Sequence, residues 1–132
     1  MNPRLLPILA LVTLLPACSP EVKTHGPRQD VTATYHNAAL STSLAPTARV
    51  PAVIAAADQT LRARGYAVQR STATEEAGEL IANAPRYNNY PRVRVRATRA
   101  DAATLLEVKV EPFGDQELSR SVLDGILQKL GQ

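Results

Sequence analysis

The residue with the clearest chemical potential is Cys18, because it is the only cysteine in the chain. A lone thiol cannot form an internal disulfide, but it can be modified. Cys18 follows a segment whose single charge is Arg4 and a largely apolar run from Leu5 to Leu15. A short charged segment, an apolar run and a small residue at Ala17 form the pattern of a secretory signal. The run is too short for a permanent membrane helix, which needs roughly 20 apolar residues.

The four residues Leu15-Pro16-Ala17-Cys18 resemble the lipobox of bacterial lipoproteins. The resemblance implies that signal peptidase cuts after Ala17, that Cys18 receives a diacylglyceryl thioether, and that its new amino group is acylated with a fatty acid such as palmitate. Such an anchor exceeds what stable membrane attachment requires. Ser19 stands where an Asp usually signals retention at the inner membrane, so the resemblance implies the outer membrane, facing the periplasm. The alternative is an ordinary secretory signal, with Cys18 left as a free thiol.

A second group of candidate residues is basic: Arg86, Arg92, Arg94, Arg96 and Arg99. Three of these alternate with apolar residues, which predicts a strand with one charged face. Such a face could bind anions: phospholipid headgroups, lipopolysaccharide phosphates or an acidic envelope protein. The alternative is a solvated outer sheet face in which Glu111 and Glu107 neutralise Arg92 and Arg96, and one-sided alternation alone explains it.

Other classes of function find little support in the sequence. It contains no nucleophile motif, phosphate loop, zinc spacing or paired-carboxylate pattern, so we predict neither an enzyme nor a cofactor or metal site. We interpret His25 and His36 as solvated histidines of a linker. Removal of residues 1–17 takes away one charge, Arg4, from a formal net charge of +3. The nearly balanced remainder argues against a nucleic-acid partner.

The elements that position these residues follow from hydrophobic periodicity. Residues 18–34 are polar and broken by Pro and Gly, which predicts a lipidated N-terminus and a flexible tether that reaches on the order of 50 Å. Residues 35–132 are predicted to form one α+β domain. A weak alternation over 35–44 predicts a first strand. Residues 48–64 predict a helix that starts near Ala48 to Val50, with Pro51 in its first turn, and stops at Gly65.

Four strands are predicted after this helix, over residues 66–72, 79–84, 92–98 and 104–111. The last two should pair with Val95 opposite Val108, because a slip by one residue would exchange their faces. This register places Arg96 opposite Glu107 and Arg92 opposite Glu111.

The last helix begins after Pro112, and its cap is either Gly114 or Asp115. With Gly114 as the cap, Phe113 and Leu118 would form a hydrophobic staple. With Asp115 as the cap, its carboxylate would accept the free amides. Apolar residues recur every four positions from Leu118 to Leu130, whereas Ser119 and Arg120 are interpreted as solvent-facing.

The chain resembles a family of small bacterial lipoproteins built on a domain of unknown function. The residues that carry the resemblance are the end of the first helix, Leu61-Arg-Ala-Arg-Gly65-Tyr66, the repeated strands, and Phe113-Gly114-Asp115 with Glu117-Leu118-Ser119-Arg120 running into Leu123 and Ile126. The resemblance covers about residues 48–130. It implies a lipid-anchored α+β domain and supplies no activity or catalytic residues.

The expected fold is α+β, with a single antiparallel sheet of four to five strands and two helices on one face, in the order β-α-β-β-β-β-α. The expected function is that of a membrane-anchored periplasmic lipoprotein that binds an envelope partner or contributes to envelope structure. The alternative is a module that binds an anionic ligand or lipid headgroup through the Arg-rich face.

Overall fold

A computed structural model describes residues 20–85 and 91–132. Three of the predicted site residues, Ala17, Cys18 and Arg86, lie outside this part of the chain. The strands are β1 (Glu21–His25), β2 (Val31–His36), β3 (Ala39–Leu44), β4 (Ala67–Ala73), β5 (Ala77–Asn83), β6 (Arg92–Ala100) and β7 (Ala103–Glu111). The helices are α1 (Val50–Ala63) and α2 (Gln116–Leu130).

The strands form one antiparallel sheet in the order β1-β2-β3-β7-β6-β5-β4. Both helices pack against one face of this sheet and against each other, and the other face carries no helix in the described part of the chain. The predicted class, α+β with one antiparallel sheet and two helices, is confirmed. The predicted number of strands is wrong, because the described residues form seven. The observed order is β-β-β-α-β-β-β-β-α.

The two additional strands come from the polar N-terminal segment. β1 has the sequence EVKTH and is mostly exposed, so it lacks the apolar alternation by which a strand is recognised. The predicted single strand over 35–44 is a hairpin, in which β2 and β3 are joined at Asn37 and Ala38. Both of these turn residues have positive φ, of 50° and 61°. Asn often adopts that conformation but Ala seldom does, so the sequence lacks the second residue of the usual Asn-Gly turn signal.

The register between β6 and β7 is the predicted one. Val95 lies opposite Val108, Arg96 opposite Glu107 and Arg92 opposite Glu111. The valines of both strands are buried against the helices. Because side chains alternate along a strand, this burial fixes the arginines on the uncovered face.

Helix α1 begins and ends where its sequence predicts. Pro51 lies in its first turn, where a missing amide is tolerated. At its end the amide of Gly65 donates to the carbonyl of Arg62, and the amide of Tyr66 donates to that of Leu61. This pair of hydrogen bonds is a Schellman motif. The predicted apolar face is fully buried: Val50, Ile54, Ala57 and Leu61.

Helix α2 is capped by Asp115, whose carboxylate accepts a hydrogen bond of 2.9 Å from the amide of Leu118. This result decides between the two predicted caps. The staple that Gly114 would have allowed does not form, because Phe113 is 91% exposed. Val122, Leu123, Ile126 and Leu127 of this helix are buried in the core.

Candidate functional site: the proximal end and the outer face of the sheet

The proximal end is the end of the sheet at which β1 begins, and it is the end nearest to Cys18 along the chain. The first paired residue is Glu21, which lies opposite Tyr35 of β2. A chain spans at most about 3.6 Å per residue, so Cys18 lies within roughly 11 Å of Glu21. Residues 21–25 form β1 and residues 31–34 belong to β2, so the prediction of a flexible tether is wrong for these residues. An anchor on Cys18 would hold the sheet itself close to a membrane.

Helix α2 fastens β1 at both of its ends. The His25 side chain, 4% exposed, donates through Nδ1 to Asp124 Oδ1 over 3.0 Å. The same carboxylate oxygen accepts the amide of Gly26, also over 3.0 Å. Arg120 Nη1 donates to His25 Nε2 over 2.8 Å, and its Nη2 donates to the carbonyl of Glu21 over 3.1 Å. We call His25, Arg120 and Asp124 the α2–β1 clamp.

The clamp defines the hydrogen-bonding roles of the two ring nitrogens of His25. A guanidinium can only donate hydrogen bonds, so Nε2 accepts from Arg120 and Nδ1 donates to Asp124. An Asp–His pair can serve as a catalytic base when Nε2 faces a substrate. Here Nε2 is buried and accepts from Arg120, so the clamp is suited to fixing β1 rather than to proton transfer.

Two predictions, that His25 is solvated and that Ser119 and Arg120 face solvent, are wrong. His25 is a buried structural residue and not a solvated one, although His36 is exposed as expected. Arg120 is 8% exposed and Ser119 is fully buried, with its hydroxyl donating to the carbonyl of Asp115 over 2.7 Å. The only sequence signal was the spacing of Arg120 and Asp124, which places both side chains on one side of α2.

The outer face of the sheet carries three of the predicted basic residues. Arg94 Nη2 lies 3.2 Å from Glu111, and Arg96 Nε lies 2.8 Å from Glu79 on the neighbouring strand β5. Arg92 donates to the side-chain oxygen of Asn83 over 3.3 Å. The arginines are thus tied to polar groups on both neighbouring strands.

Glu79 was not among the predicted partners of these arginines. It lies directly opposite Arg96 in the β5–β6 register, and Glu107 lies opposite on the other side. The hydrogen bond from Arg96 lowers the pKa of the Glu79 carboxyl and raises that of the guanidinium. Arg70 of β4 adds a longer contact of 3.7 Å to the same carboxylate. Neutralisation of the outer face therefore extends across β4, β5, β6 and β7.

Arg99 does not belong to this face. It lies opposite Thr104, which is buried on the helix side, and its Nη1 donates to the carbonyl of Pro46 over 3.3 Å. The structure thus brings together Arg92, Arg94 and Arg96 and separates Arg99 from them. Alternation over the full length of β6 would have predicted this separation, because residues 96 and 99 have opposite parity.

The other half of the outer face is uncharged. Hydroxyl groups from β2, β3 and β6 line a shallow groove of about 520 Å³ around Leu105, which is 47% exposed. The hydroxyl-bearing residues of this groove include Thr32, Thr34, Ser41, Ser43 and Thr98. Arg96 and Glu107 border it. The outer face therefore offers an uncharged surface beside an ion-paired one.

Among residues 20–85 and 91–132, no group of histidine, cysteine and acidic side chains is arranged to hold a metal ion. No helix in that part of the chain is long and apolar enough to cross a membrane. The chain matches no protein-family model and no curated protein. The resemblance to small bacterial lipoproteins stays a prediction.

Proposed function

We propose that the protein is a lipoprotein of the bacterial envelope, anchored by acyl chains on Cys18 in the outer membrane and facing the periplasm. Its domain is a non-enzymatic module that binds an envelope partner or contributes to envelope structure. The observation that carries the proposal is the sequence Leu15-Pro16-Ala17-Cys18 at the end of an apolar signal-like run. Acylation at that position would attach the chain stably to one leaflet.

The fold supports this proposal through the position of β1. Only a few residues separate Cys18 from the sheet, and the α2–β1 clamp joins β1 to α2 through the hydrogen bonds of the buried His25 side chain. An anchored domain of this kind is held at the membrane with its proximal end nearest the lipid. The outer face of the sheet then lies to the side, where a partner in the envelope can reach it.

The alternative is an anion-binding module that uses Arg92, Arg94 and Arg96. The position of the three arginines on one face favours anion binding, but the ion pairs that two of them already form argue against it. Arg94 and Arg96 already bind Glu111 and Glu79, so an anionic ligand would have to displace a carboxylate at each position. Exposed ion pairs are individually weak, and competition at two sites would still reduce affinity.

Metabolic labelling with palmitate tests the proposal. We expect the wild-type chain to incorporate label and to fractionate with outer membranes, and Cys18→Ser to lose both properties. Ser19→Asp is the matched control: it should keep the label and shift the protein toward the inner membrane. Label that persists in Cys18→Ser would refute the anchor, and an unlabelled wild-type chain would favour the ordinary secretory signal.

A further inference from the structure

Phe113 is the only phenylalanine in the chain, and it is 91% exposed. It lies in the loop between β7 and α2. An exposed phenylalanine leaves apolar area in water that most folds would bury, at a cost proportional to that area. A single such residue is common on protein surfaces, so its position in the fold decides whether it carries information.

The loop holds Phe113 outward through fixed backbone contacts. The amide of Gly114 donates to the carbonyl of Val110 over 2.8 Å, and Gly114 has a φ of 82°. A Cβ at this glycine would lie 2.6 Å from Cβ of Ala38 and 2.6 Å from the hydroxyl of Tyr35. The loop is therefore packed directly on the β2–β3 turn. Asp115 caps α2 immediately afterwards, which fixes the backbone on the other side.

These contacts place Phe113 at the proximal end. Three residues after it, Gln116 Nε2 donates to the carboxylate of Glu21 over 2.5 Å. Arg120 of the same helix donates to the backbone carbonyl of Glu21. The start of β1 and the loop that carries Phe113 are therefore neighbours. Because Cys18 lies within roughly 11 Å of Glu21, an anchor on Cys18 would bring the bilayer surface to this end of the molecule.

We propose that the Phe113 side chain inserts into the bilayer interface beside the acylated Cys18, as a second contact that orients the domain. This inference rests on the proposed lipid anchor. The contact is apolar: the two charged residues nearest to Phe113 in sequence, Glu111 and Asp115, are both acidic and would not be drawn to anionic headgroups. With two contacts at the proximal end, the strands point away from the membrane and the β6–β7 turn lies at the distal end.

The chain contains no tryptophan, so Phe113→Trp introduces a single fluorescent reporter. The matched control is Ala102→Trp, an exposed position in the β6–β7 turn at the distal end. Both variants are purified as full acylated chains and reconstituted into phosphatidylcholine vesicles, with and without brominated lipid. We expect Phe113→Trp to show blue-shifted emission that brominated lipid quenches, and this shift should persist at high salt. Ala102→Trp should show neither effect.

Flotation of the same samples on a density gradient separates the two claims. If the acylated chains float with the vesicles and Phe113→Trp is blue-shifted and quenched, both claims stand. If they float but Phe113→Trp emits and responds like Ala102→Trp, the insertion is refuted while the anchor stands. In that case Phe113 is free for a protein partner. If the wild-type chain carries no acyl group and does not float, the anchor is refuted and the insertion with it.

Discussion

Replacement of His25 by leucine tests the α2–β1 clamp. Leucine keeps much of the volume of histidine but removes both ring nitrogens. The loss of stability therefore measures the missing hydrogen bonds more than the effect of a cavity. Arg120 Nη1 would then lie in a buried position without its acceptor. A hydrogen bond to a charged group contributes about 1.5–3 kcal/mol. We expect His25→Leu to lower the free energy of unfolding by about 2–3 kcal/mol, a fall in Tm of roughly 10 °C.

The assay is urea unfolding followed by circular dichroism, with every variant made in the Cys18→Ser chain so that acyl groups play no part. The matched control is His36→Leu, because His36 is the other histidine and is exposed. It should change stability by less than about 0.5 kcal/mol. If His25→Leu were as stable as this control, the clamp would contribute nothing to the fold.

A double-mutant cycle with Arg120→Leu sharpens the test. Removal of both partners leaves no buried charge without an acceptor, whereas removal of His25 alone does. We expect the double variant to lose about 1–2 kcal/mol less than the sum of the single variants. Additive losses would show that His25 and Arg120 stabilise the fold independently, which contradicts the geometry described above.

Three further outcomes follow from the structure. Because the folded-state pKa of Glu79 is lowered, its contribution to stability is present above its usual pKa of 4.5 and is lost as pH falls through the folded value; urea unfolding should show Glu79→Gln more destabilised relative to the wild-type chain at pH 7 than at pH 3. Gly114→Ala should cost more than Gly131→Ala in the same urea assay. Both glycines have positive φ, worth about 1 kcal/mol, but only the first would also bring a Cβ to 2.6 Å from other atoms; equal losses would contradict this packing. Charge reversal of Arg94 and Arg96 to glutamate should leave partner recovery from envelope extract unchanged, and a loss of recovery would favour the anion-binding alternative.

The central sheet and both helices could be predicted because their buried faces leave a clear pattern. In β6, Val93 and Val95 alternate with arginines, and in β7, Val108 and Val110 alternate with charged residues. Alternation on two neighbouring strands also fixed their register. In α1, Pro51 and Gly65 marked the two ends of the helix. In each case the local sequence pattern, strand alternation or a helix-end residue, agrees with the packing of the whole domain.

The N-terminal strand could not be predicted, because its stability comes from distant residues. β1 has four exposed residues out of five, so its sequence resembles a linker. Its partners are the backbone of β2 and the side chains of Arg120 and Asp124, about 100 positions away in sequence. A single sequence shows the polar character of His25 but not the polar partners that make its burial possible.

The charged face was predicted in outline and differed in its contacts. Alternation placed Arg94 and Arg96 correctly, but their side chains contact neighbours that the predicted β6–β7 register does not select. Arg94 binds Glu111 along a diagonal, and Arg96 binds Glu79 on β5. The pairing of β6 with β5 was not part of the predicted register, so Glu79 could not be assigned as a partner.

The mass of the intact mature protein is the most direct test of the lipid anchor. We expect a chain that begins at Cys18 and carries a diacylglyceryl group and an amide-linked acyl chain, and we expect Cys18→Ser to carry neither. A wild-type chain that begins at Cys18 with a free thiol would show an ordinary secretory signal and would contradict the anchor. A chain that retains residues 1–17 would contradict the signal as well.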